Sequence, residues 1–372
     1  MNFTINKEVM LNNLLVAQKA LSTKTPAPYL QGVKLEVYQN ELVMVTSNSD
    51  ISIKLSVKHE SLSVESTGEV LVPGRYFVEI IRKVVLHEPV LLVVKSREHR
   101  DRVRAMLEQA HADTGRVRFI VLNTNRGWMR DSGPVVVRRA DGTREALQFR
   151  FNGWAKYSNH RLDGGVPQAV AKSLRLPLTP VVWNGRPVVL EGGAIDGNGA
   201  GSLITTEECL LDATTQVRNP GFSMQDYESV FREYLGVRNV IWLGRGIEGD
   251  DTHGHVDDVC RFVNRTTVVA CEEPNPRDAN HRPLRENLER LEGSLLEDGS
   301  RLEVVPVPMP GRIDFEELRL PASYVNFLVT NGSVLVPTFN DPNDRKALGI
   351  LSELFTGRAV IGIHAVDLVW GL

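Results

Sequence analysis

The chain has 372 residues, of which 42% are apolar and 24% are charged, and its formal net charge is −3. These values predict a soluble globular protein of two or three domains and exclude a disordered, fibrous or disulfide-stapled chain. The small net charge gives no general reason to expect binding to nucleic acid or to an anionic membrane. Three cysteines, no signal-peptide pattern and no apolar run long enough for a membrane span predict a cytoplasmic protein.

The basic residues change type along the chain. Residues 1–84 contain seven lysines and two arginines, whereas residues 85–372 contain four lysines and thirty arginines. All five tryptophans and all three cysteines also fall in the second block. Two domains with different surface chemistry would explain this change, but we favour a junction near residues 83–86 between two sequences of different origin. The predicted domains are therefore 1–84 and 85–372.

The first block predicts an α+β segment. Asn6 is placed to cap a helix with an apolar stripe, and Pro73-Gly74 opens a second helix. Alternating apolar and polar residues predict strands over about 32–39, 41–47, 50–56 and 68–72. In their order and spacing, residues 1–6, 32–37, 47–53 and 72–82 resemble the first domain of the bacterial DNA polymerase III β sliding clamp. The resemblance covers only part of one of that family's three repeated domains, so we do not expect a ring around DNA.

The second block alternates predicted strands and helices, which is typical of an α/β fold. Helices are predicted over about 97–112, 166–175 and 283–296, and one more follows Pro342. Another begins at Ser223, where Ser223 and Asp226 have the spacing of a capping box. Strands are predicted over 89–94, 118–122, 134–137, near 188, over 202–205 and over 240–243.

Four polar segments follow apolar runs in this block. They are called the first, second, third and fourth polar segments, and they are residues 128–134, 190–195, 249–258 and 326–341. They supply several carboxylates, two histidines and glycines that permit close backbone approach. Two carboxylates can accept the N–H groups of a planar guanidinium in bidentate pairs, so the segments point to a small cationic substrate.

Each segment also has a purely structural interpretation. Asp131 is compatible with a helix cap or a surface ion pair, Glu191 with a turn, and Trp128 with a core residue. His253 and His255 at i and i+2 would share one strand face and give a weak metal signal, because no further ligand motif accompanies them.

Taken together, these segments resemble the agmatine deiminase family of the pentein, or peptidyl-arginine-deiminase-like, superfamily. The resemblance runs from about residue 86 to 372 and includes residues 87–94, 128–134, 150–154, 190–196, 203–210, 241–246, 254–257, 320–326 and 334–339. It implies a pentein-type pseudo-fivefold αβ propeller. The propeller would be incomplete, because the clamp-like segment replaces the family's N-terminal segment and leaves an unpaired sheet edge.

The resemblance also implies a mechanism that needs no metal and no organic cofactor. Asp131 and Asp257 would hold the guanidinium of agmatine, and Trp128 would line the site. His255 would act as general acid and then general base, while Glu191 would orient it and stabilise its charged form. A cysteine thiolate would expel ammonia and form a covalent intermediate, which water resolves to N-carbamoylputrescine in putrescine (polyamine) biosynthesis.

The family's nucleophilic cysteine follows a Val-Trp-Gly motif, which here is residues 369–371 at the end of the sequence. Cys209, Cys260 and Cys271 do not match that position, so we expect buried structural thiols, with Cys260 as a poor substitute nucleophile. The chain is then expected to bind agmatine or a related small guanidine compound without efficient hydrolysis. A homo-oligomer is compatible with this expectation.

The sequence leaves two alternative functions open. One is a clamp-related binding module in residues 1–84. The other is a metal-dependent amidohydrolase that uses His253 and His255.

Overall fold

The computed structural model describes residues 2–5, 9, 13, 16, 33–47, 52–66, 68–71, 80, 82–315 and 317–369. Two compact units are present: Met1–Glu79 with Val366–Gly371, and Ile80–Ala365 with Leu372. The domain boundary after residue 84 stays a prediction. Within the described ranges, no helix is long and apolar enough to cross a membrane.

The first unit contains two antiparallel sheets. In one sheet β1 pairs with β5, and the other has the strand order β4-β3-β2-β6. The six strands are β1 Asn2–Thr4, β2 Lys34–Tyr38, β3 Glu41–Ser47, β4 Ser52–Val57, β5 Ser63–Ser66 and β6 Gly68–Leu71. The four predicted strands are confirmed to within two residues, whereas β1 and β5 were not predicted.

The two helices predicted for the first block lie largely outside the described residues. Residues 9, 13 and 16 are helical in the region that we expected Asn6 to cap. Residue 80 and residues 82–84 are helical near the end of the second predicted helix. The last helix, Val366–Val369, also belongs to the first unit.

The second unit is a mixed α/β structure of several small sheets. Its strands are β7 Val90–Val94, β8 Val117–Val121, β9 Val135–Arg138, β10 Arg144–Gln148, β11 Leu178–Pro180, β12 Val182–Trp183, β13 Arg186–Pro187, β14 Asp196–Gly197, β15 Ser202–Thr206, β16 Asn239–Leu243, β17 Cys260–Phe262, β18 Thr267–Glu272, β19 Glu303–Pro308, β20 Asp314–Phe315, β21 Leu318–Arg319, β22 Leu328–Val329, β23 Ser333–Thr338 and β24 Ala359–His364. Its helices are α1 Arg97–Gln109, α2 Met129–Ser132, α3 Val166–Leu174, α4 Glu207–Leu211, α5 Met224–Leu235, α6 His281–Leu291 and α7 Asp344–Leu354.

Four three-stranded sheets share one construction. Their strand orders are β9-β10-β11, β14-β15-β16, β17-β18-β19 and β22-β23-β24. In each sheet a short leading strand pairs antiparallel with the central strand, and a helical connection then leads to a parallel third strand. A parallel pair needs such a crossover because its two strands start at the same sheet edge. The second unit therefore repeats one strand–strand–helix–strand module.

The sheet of β7 and β8 departs from this construction. The two strands are parallel and joined by α1, but no leading strand pairs with β7 in the described part of the chain. Four of the five β7 residues are only half-buried, whereas every residue of the central strand β15 is buried. Within the described residues one edge of β7 is therefore without a paired strand, and the expectation that the clamp-like segment causes this stays a prediction.

Local sequence signals explain where several helices begin and end. Ser223 and Asp226 form the predicted capping box at the start of α5, and Gly236 follows the helix in the left-handed conformation (φ 69°). The helix predicted over 283–296 runs instead from His281 to Leu291. It ends early because Gly293 is also left-handed (φ 77°), a conformation that a continuing helix excludes.

The remaining predicted elements of the second unit are confirmed, with two adjustments. The first helix ends at Gln109 rather than near residue 112. The strand expected near residue 188 is the two-residue strand β13, followed by an isolated bridge between Arg150 and Val189.

Candidate active site

Three polar segments occupy equivalent positions in successive sheets. α2 in the first segment precedes the leading strand β9, and the turn Gly192–Ala194 in the second precedes β14. The turn Val256–Asp258 in the third precedes β17. The turn at Gly192–Ala194 contacts both α2 and the turn at Val256–Asp258. The repeated module thus brings side chains that are far apart in sequence to one place.

His255 lies at the centre of this place, with three carboxylates around its ring. Its Nδ1 is 3.9 Å from Asp131 Oδ1 and 4.0 Å from Asp257 Oδ1, and its Nε2 is 3.8 Å from Glu191 Oε2. All four residues are buried. Nε2 makes no hydrogen bond within the described part of the chain. The cluster is therefore held by charge at distances slightly too long for hydrogen bonds.

The carboxylates keep the imidazole of His255 positively charged. Burial alone lowers the pKa of His255, but Asp131, Glu191 and Asp257 outweigh that effect and raise the pKa to about 10. At neutral pH this residue is an imidazolium that can donate a proton. Such a perturbed group among buried carboxylates is typical of a catalytic centre.

Two hydrogen-bond donors from distant parts of the sequence orient Asp131. Its Oδ1 accepts a hydrogen bond from the Gly193 backbone N–H, and its Oδ2 accepts one from Trp154 Nε1, both at 3.1 Å. Burial raises the pKa of Asp131 to about 6, although His255 acts in the opposite direction. Asp131 therefore takes up a proton at a higher pH than an ordinary aspartate does.

Glu191 forms a fully buried ion pair with Arg218. Arg218 Nε lies 3.2 Å from Glu191 Oε1, and both side chains have no exposed surface. The guanidinium also donates to the backbone carbonyl groups of Gln216 and Thr252. Burial raises the pKa of Glu191, but His255 and Arg218 outweigh burial and lower it overall. Glu191 therefore remains an anion although water does not reach it.

Two glycines allow the segments to approach one another. A Cβ atom on Gly192 would overlap the backbone carbonyl of Arg130. A Cβ atom on Gly193 would overlap His255 Nδ1 and lie 2.9 Å from Asp131 Oδ1. The Glu-Gly-Gly sequence is therefore required by close packing, as well as by its turn.

The two histidines of the third segment do not share a strand face, so that expectation was wrong. His253 (φ 66°) and Gly254 (φ 85°) are both left-handed, and they turn the chain between the two imidazoles. His253 Nε2 pairs with Asp212 Oδ2 at 2.9 Å, away from the carboxylates around His255. Asp250 stabilises the turn by accepting hydrogen bonds from the backbone N–H groups of Gly254 and His255.

A metal centre does not fit these donors. Among the described residues, Glu191, Cys209 and His255 have potential ligand atoms within 4.8 Å of one another, and His253 is not in that group. Glu191 is already paired with the Arg218 guanidinium, and burial raises the pKa of the Cys209 thiol well above its usual range. Metal binding would have to deprotonate this thiol and place a second cation against Arg218. The hypothesis of a metal-dependent amidohydrolase therefore has no support in this geometry.

The structure brings together four of the predicted site residues: Asp131, Glu191, His255 and Asp257. Trp128 is 40% exposed at the start of α2, and its indole has no hydrogen bond or ring contact in the described part of the chain. Its role as a lining residue stays a prediction.

Sequence reasoning missed three residues that contact the site directly. They are Arg130, whose Nε lies 3.1 Å from Asp257 Oδ2, together with Trp154 and Arg218. The segment that contains Trp154 was singled out without a role for the indole, and nothing marked Arg218.

The three cysteines are buried, as expected. Burial raises the pKa of each thiol above its ordinary value, including that of Cys209 beside His255 and Glu191. We expect none of them to react with an aromatic disulfide reagent at pH 8 in the native protein, and all three to react after unfolding. A thiol that reacts rapidly in the native protein would contradict this expectation and identify a candidate nucleophile.

Comparison with known proteins identifies the family. Residues 66–372 match the model of the Porphyromonas-type peptidyl-arginine deiminase family, and residues 1–110 match that of the DNA polymerase III beta subunit, N-terminal domain. An agmatine deiminase of Pseudomonas fluorescens is 31% identical over 317 residues, which cover 78% of this chain and 82% of that protein. One from Pseudomonas syringae pv. syringae is 33% identical over 320 residues, with 79% and 83% covered.

Solved structures agree with this result. The agmatine deiminase of C. jejuni with substrate bound has a TM-score of 0.70 at 28% identity, with 80% of this chain and 83% of that chain covered. An agmatine deiminase of Enterococcus faecalis has a TM-score of 0.71 at 28% identity, with the same coverage. These matches confirm both resemblances seen in the sequence. The chain belongs to the Porphyromonas-type peptidyl-arginine deiminase family, and the agmatine deiminases that it matches are hydrolases that act on C–N bonds.

Proposed function

We propose that the second unit is an agmatine deiminase-type site that binds the guanidinium of agmatine between Asp131 and Asp257. The observation that carries this proposal is the ring of three buried carboxylates around one imidazolium. The relatives named agmatine deiminase support agmatine as the ligand. A guanidinium remains protonated at all physiological pH values, so it can replace water around these anions without losing its charge.

His255 is the proton donor and acceptor in this proposal. As an imidazolium it donates a proton to the departing ammonia. A substrate cation between Asp131 and Asp257 offsets their charge, which lowers the pKa of His255 and prepares it to accept a proton from water in the next step. Glu191 orients the ring from the Nε2 side, where it lies 3.8 Å away.

The complete reaction would convert agmatine and water to N-carbamoylputrescine and ammonia, a step of putrescine biosynthesis. It requires a thiolate nucleophile. Burial raises the pKa of all three cysteine thiols in this 372-residue chain, which leaves them poor nucleophiles. We therefore propose that the chain binds agmatine but turns it over very slowly. A catalytic unit that works without its nucleophile is slower by roughly a millionfold.

For the fold, we propose that the four three-stranded sheets and the sheet of β7 and β8 are the five modules of an incomplete pentein propeller. The shared strand pattern of the four sheets supports this proposal. In this proposal the strand that β7 lacks among the described residues is the leading strand of the fifth module.

The proposed function is tested by isothermal titration of the full chain with agmatine, alongside an assay for ammonia. We expect saturable binding of one agmatine per chain and ammonia release close to the uncatalysed rate. Putrescine, which lacks the guanidinium, is the matched control ligand and should not bind detectably. Absence of agmatine binding would refute the proposed site, and ammonia release at ordinary enzymatic rates would refute the proposed loss of turnover.

The affinity for agmatine should depend on pH through Asp131. The pKa of this carboxyl is about 6, so it is mostly ionised at pH 7 and roughly one-tenth ionised at pH 5. Because only the carboxylate attracts the guanidinium, we expect the dissociation constant to rise roughly tenfold between pH 7 and pH 5. His255 stays protonated over this range, since its pKa is about 10. An equally steep pH profile in Asp131→Asn would show that another group is responsible.

A further inference from the structure

Arg130 connects all four polar segments, and the roles proposed above do not use its side chain. Its Nε lies 3.1 Å from Asp257 Oδ2, and its Nη2 lies 3.5 Å from the backbone carbonyl oxygen of Phe327. Its own backbone carbonyl is the group against which Gly192 packs. A residue of the first segment thus contacts the second, third and fourth segments.

The contact with Arg130 engages one oxygen of Asp257 and leaves the other available. In the part of the chain that the structure describes, Asp257 Oδ1 accepts no hydrogen bond, and it faces His255 Nδ1 at 4.0 Å. Asp131 Oδ1 faces the same ring nitrogen at 3.9 Å. The orientation that Arg130 gives to Asp257 therefore places an available carboxylate oxygen on the same side of the imidazole as Asp131.

Arg130 carries a guanidinium itself, so it could instead compete with a guanidinium ligand for Asp257. Its position argues against competition. It approaches Asp257 through Nε, and its Cγ lies 3.5 Å from the place where a Gly192 Cβ would be. It forms no hydrogen bond or ion pair with Asp131 in the described residues, whereas a competitor in the ligand's place would face both carboxylates.

We propose that Arg130 is a positioning residue, which holds Asp257 Oδ2 so that Oδ1 faces the guanidinium of the substrate. This inference rests on the proposed function of the same site and adds a determinant of its geometry. It changes the sequence-based expectation of bidentate recognition: Asp257 offers the ligand a single oxygen, and the ligand must take its other contacts elsewhere.

Two substitutions separate positioning from competition. We expect Arg130→Met and Arg130→Lys each to weaken agmatine binding about tenfold or more. Methionine removes the charge of the 3.1 Å ion pair, and lysine keeps the charge but not the planar guanidinium that places Nε beside Asp257. The matched control is Arg282→Met, which removes an arginine from an exposed pair on α6 and should leave the affinity unchanged. Tighter or unchanged binding in both Arg130 variants would overturn the proposal.

A double-mutant cycle tests whether Arg130 acts through Asp257. Asp257→Asn should weaken binding of agmatine, and Arg130→Met should then cause little further loss in that background. If Arg130→Met costs the same factor in both backgrounds, Arg130 acts through other contacts, and the positioning role is wrong.

A measurement without ligand keeps this proposal distinguishable from the proposed function. In Arg130→Lys the total charge is unchanged, but the ammonium does not take the place of Arg130 Nε, so Asp257 is released from the 3.1 Å ion pair and can close on the imidazolium. We expect the titration of the His255 ring resonances, followed by NMR, to shift to higher pH in Arg130→Lys. In Arg130→Lys/Asp257→Asn, measured against Asp257→Asn, no such shift is expected. If the wild type does not bind agmatine but the variants show these His255 titrations, the proposed function alone is refuted. If the His255 titration in Arg130→Lys equals that of the wild type, the role of Arg130 is refuted.

Discussion

Replacing Gly193 by alanine is expected to abolish the guanidinium site while leaving the fold intact. The added Cβ would overlap His255 Nδ1 and lie 2.9 Å from Asp131 Oδ1, so the ring and the carboxylate would both have to move. Gly193 does not have a positive φ, so alanine brings no backbone strain. A displacement of about 1 Å at a preorganised site can cost roughly a hundredfold, and we expect agmatine affinity to fall by at least that factor.

The control for this experiment is Gly349→Ala in α7. A Cβ atom at Gly349 would meet nothing within 4 Å, and alanine is the better helix former. This variant should bind agmatine like the wild type and be equally or more stable. Titration calorimetry gives the affinities, and circular dichroism on heating verifies the fold. If Gly193→Ala binds agmatine normally, the cluster around His255 is not the ligand site.

The comparison with the sequence shows which parts of this fold are locally determined. Strand β3 was predicted at its observed bounds, and the capping box at Ser223 and Asp226 was predicted from four residues. The strand was predicted from alternating apolar and polar residues, and the capping box from side chains that hydrogen-bond to the backbone of the same helical turn. Gly293 ended α6 earlier than the apolar pattern suggested, because a left-handed residue stops a helix whatever the apolar residues beyond it.

The candidate site was predicted only in part, because its contacts are not local. The resemblance to a family supplied Asp131, Glu191, His255 and Asp257, whereas spacing alone left structural interpretations open for several of them. Arg218 reaches Glu191 across 27 residues of sequence, and nothing in its own neighbourhood distinguishes it from a surface arginine.

Two further features of the site also escaped the sequence. Trp154 reaches Asp131 across 23 residues, so its indole could not be assigned before the fold was known. The separation of His253 from His255 depends on two consecutive left-handed residues. Only the glycine gives a sequence signal for that conformation.

The ion pair between Arg218 and Glu191 should give the largest stability effect of any single charge in the site. Both side chains are fully buried, so Arg218→Met leaves Glu191 as an anion without its guanidinium partner. Removing one member of a buried pair typically costs about 3–5 kcal/mol in the free energy of unfolding. Denaturant unfolding followed by tryptophan fluorescence suits this test, because four of the five tryptophans lie within Ile80–Ala365.

The double variant Arg218→Met/Glu191→Gln separates the ion pair from simple packing. Because it removes both buried charges, we expect it to be about 1–3 kcal/mol more stable than the sum of the two single losses implies. The exposed pair Arg285–Glu289 on α6 is the matched control, and Arg285→Met should cost at most about 0.5 kcal/mol. Strictly additive losses would mean that Arg218 stabilises the unit through its bonds to the carbonyl groups of Gln216 and Thr252 instead. In that case Glu191 would keep its charge through His255 alone, and Arg218→Met should leave the titration of His255 unchanged.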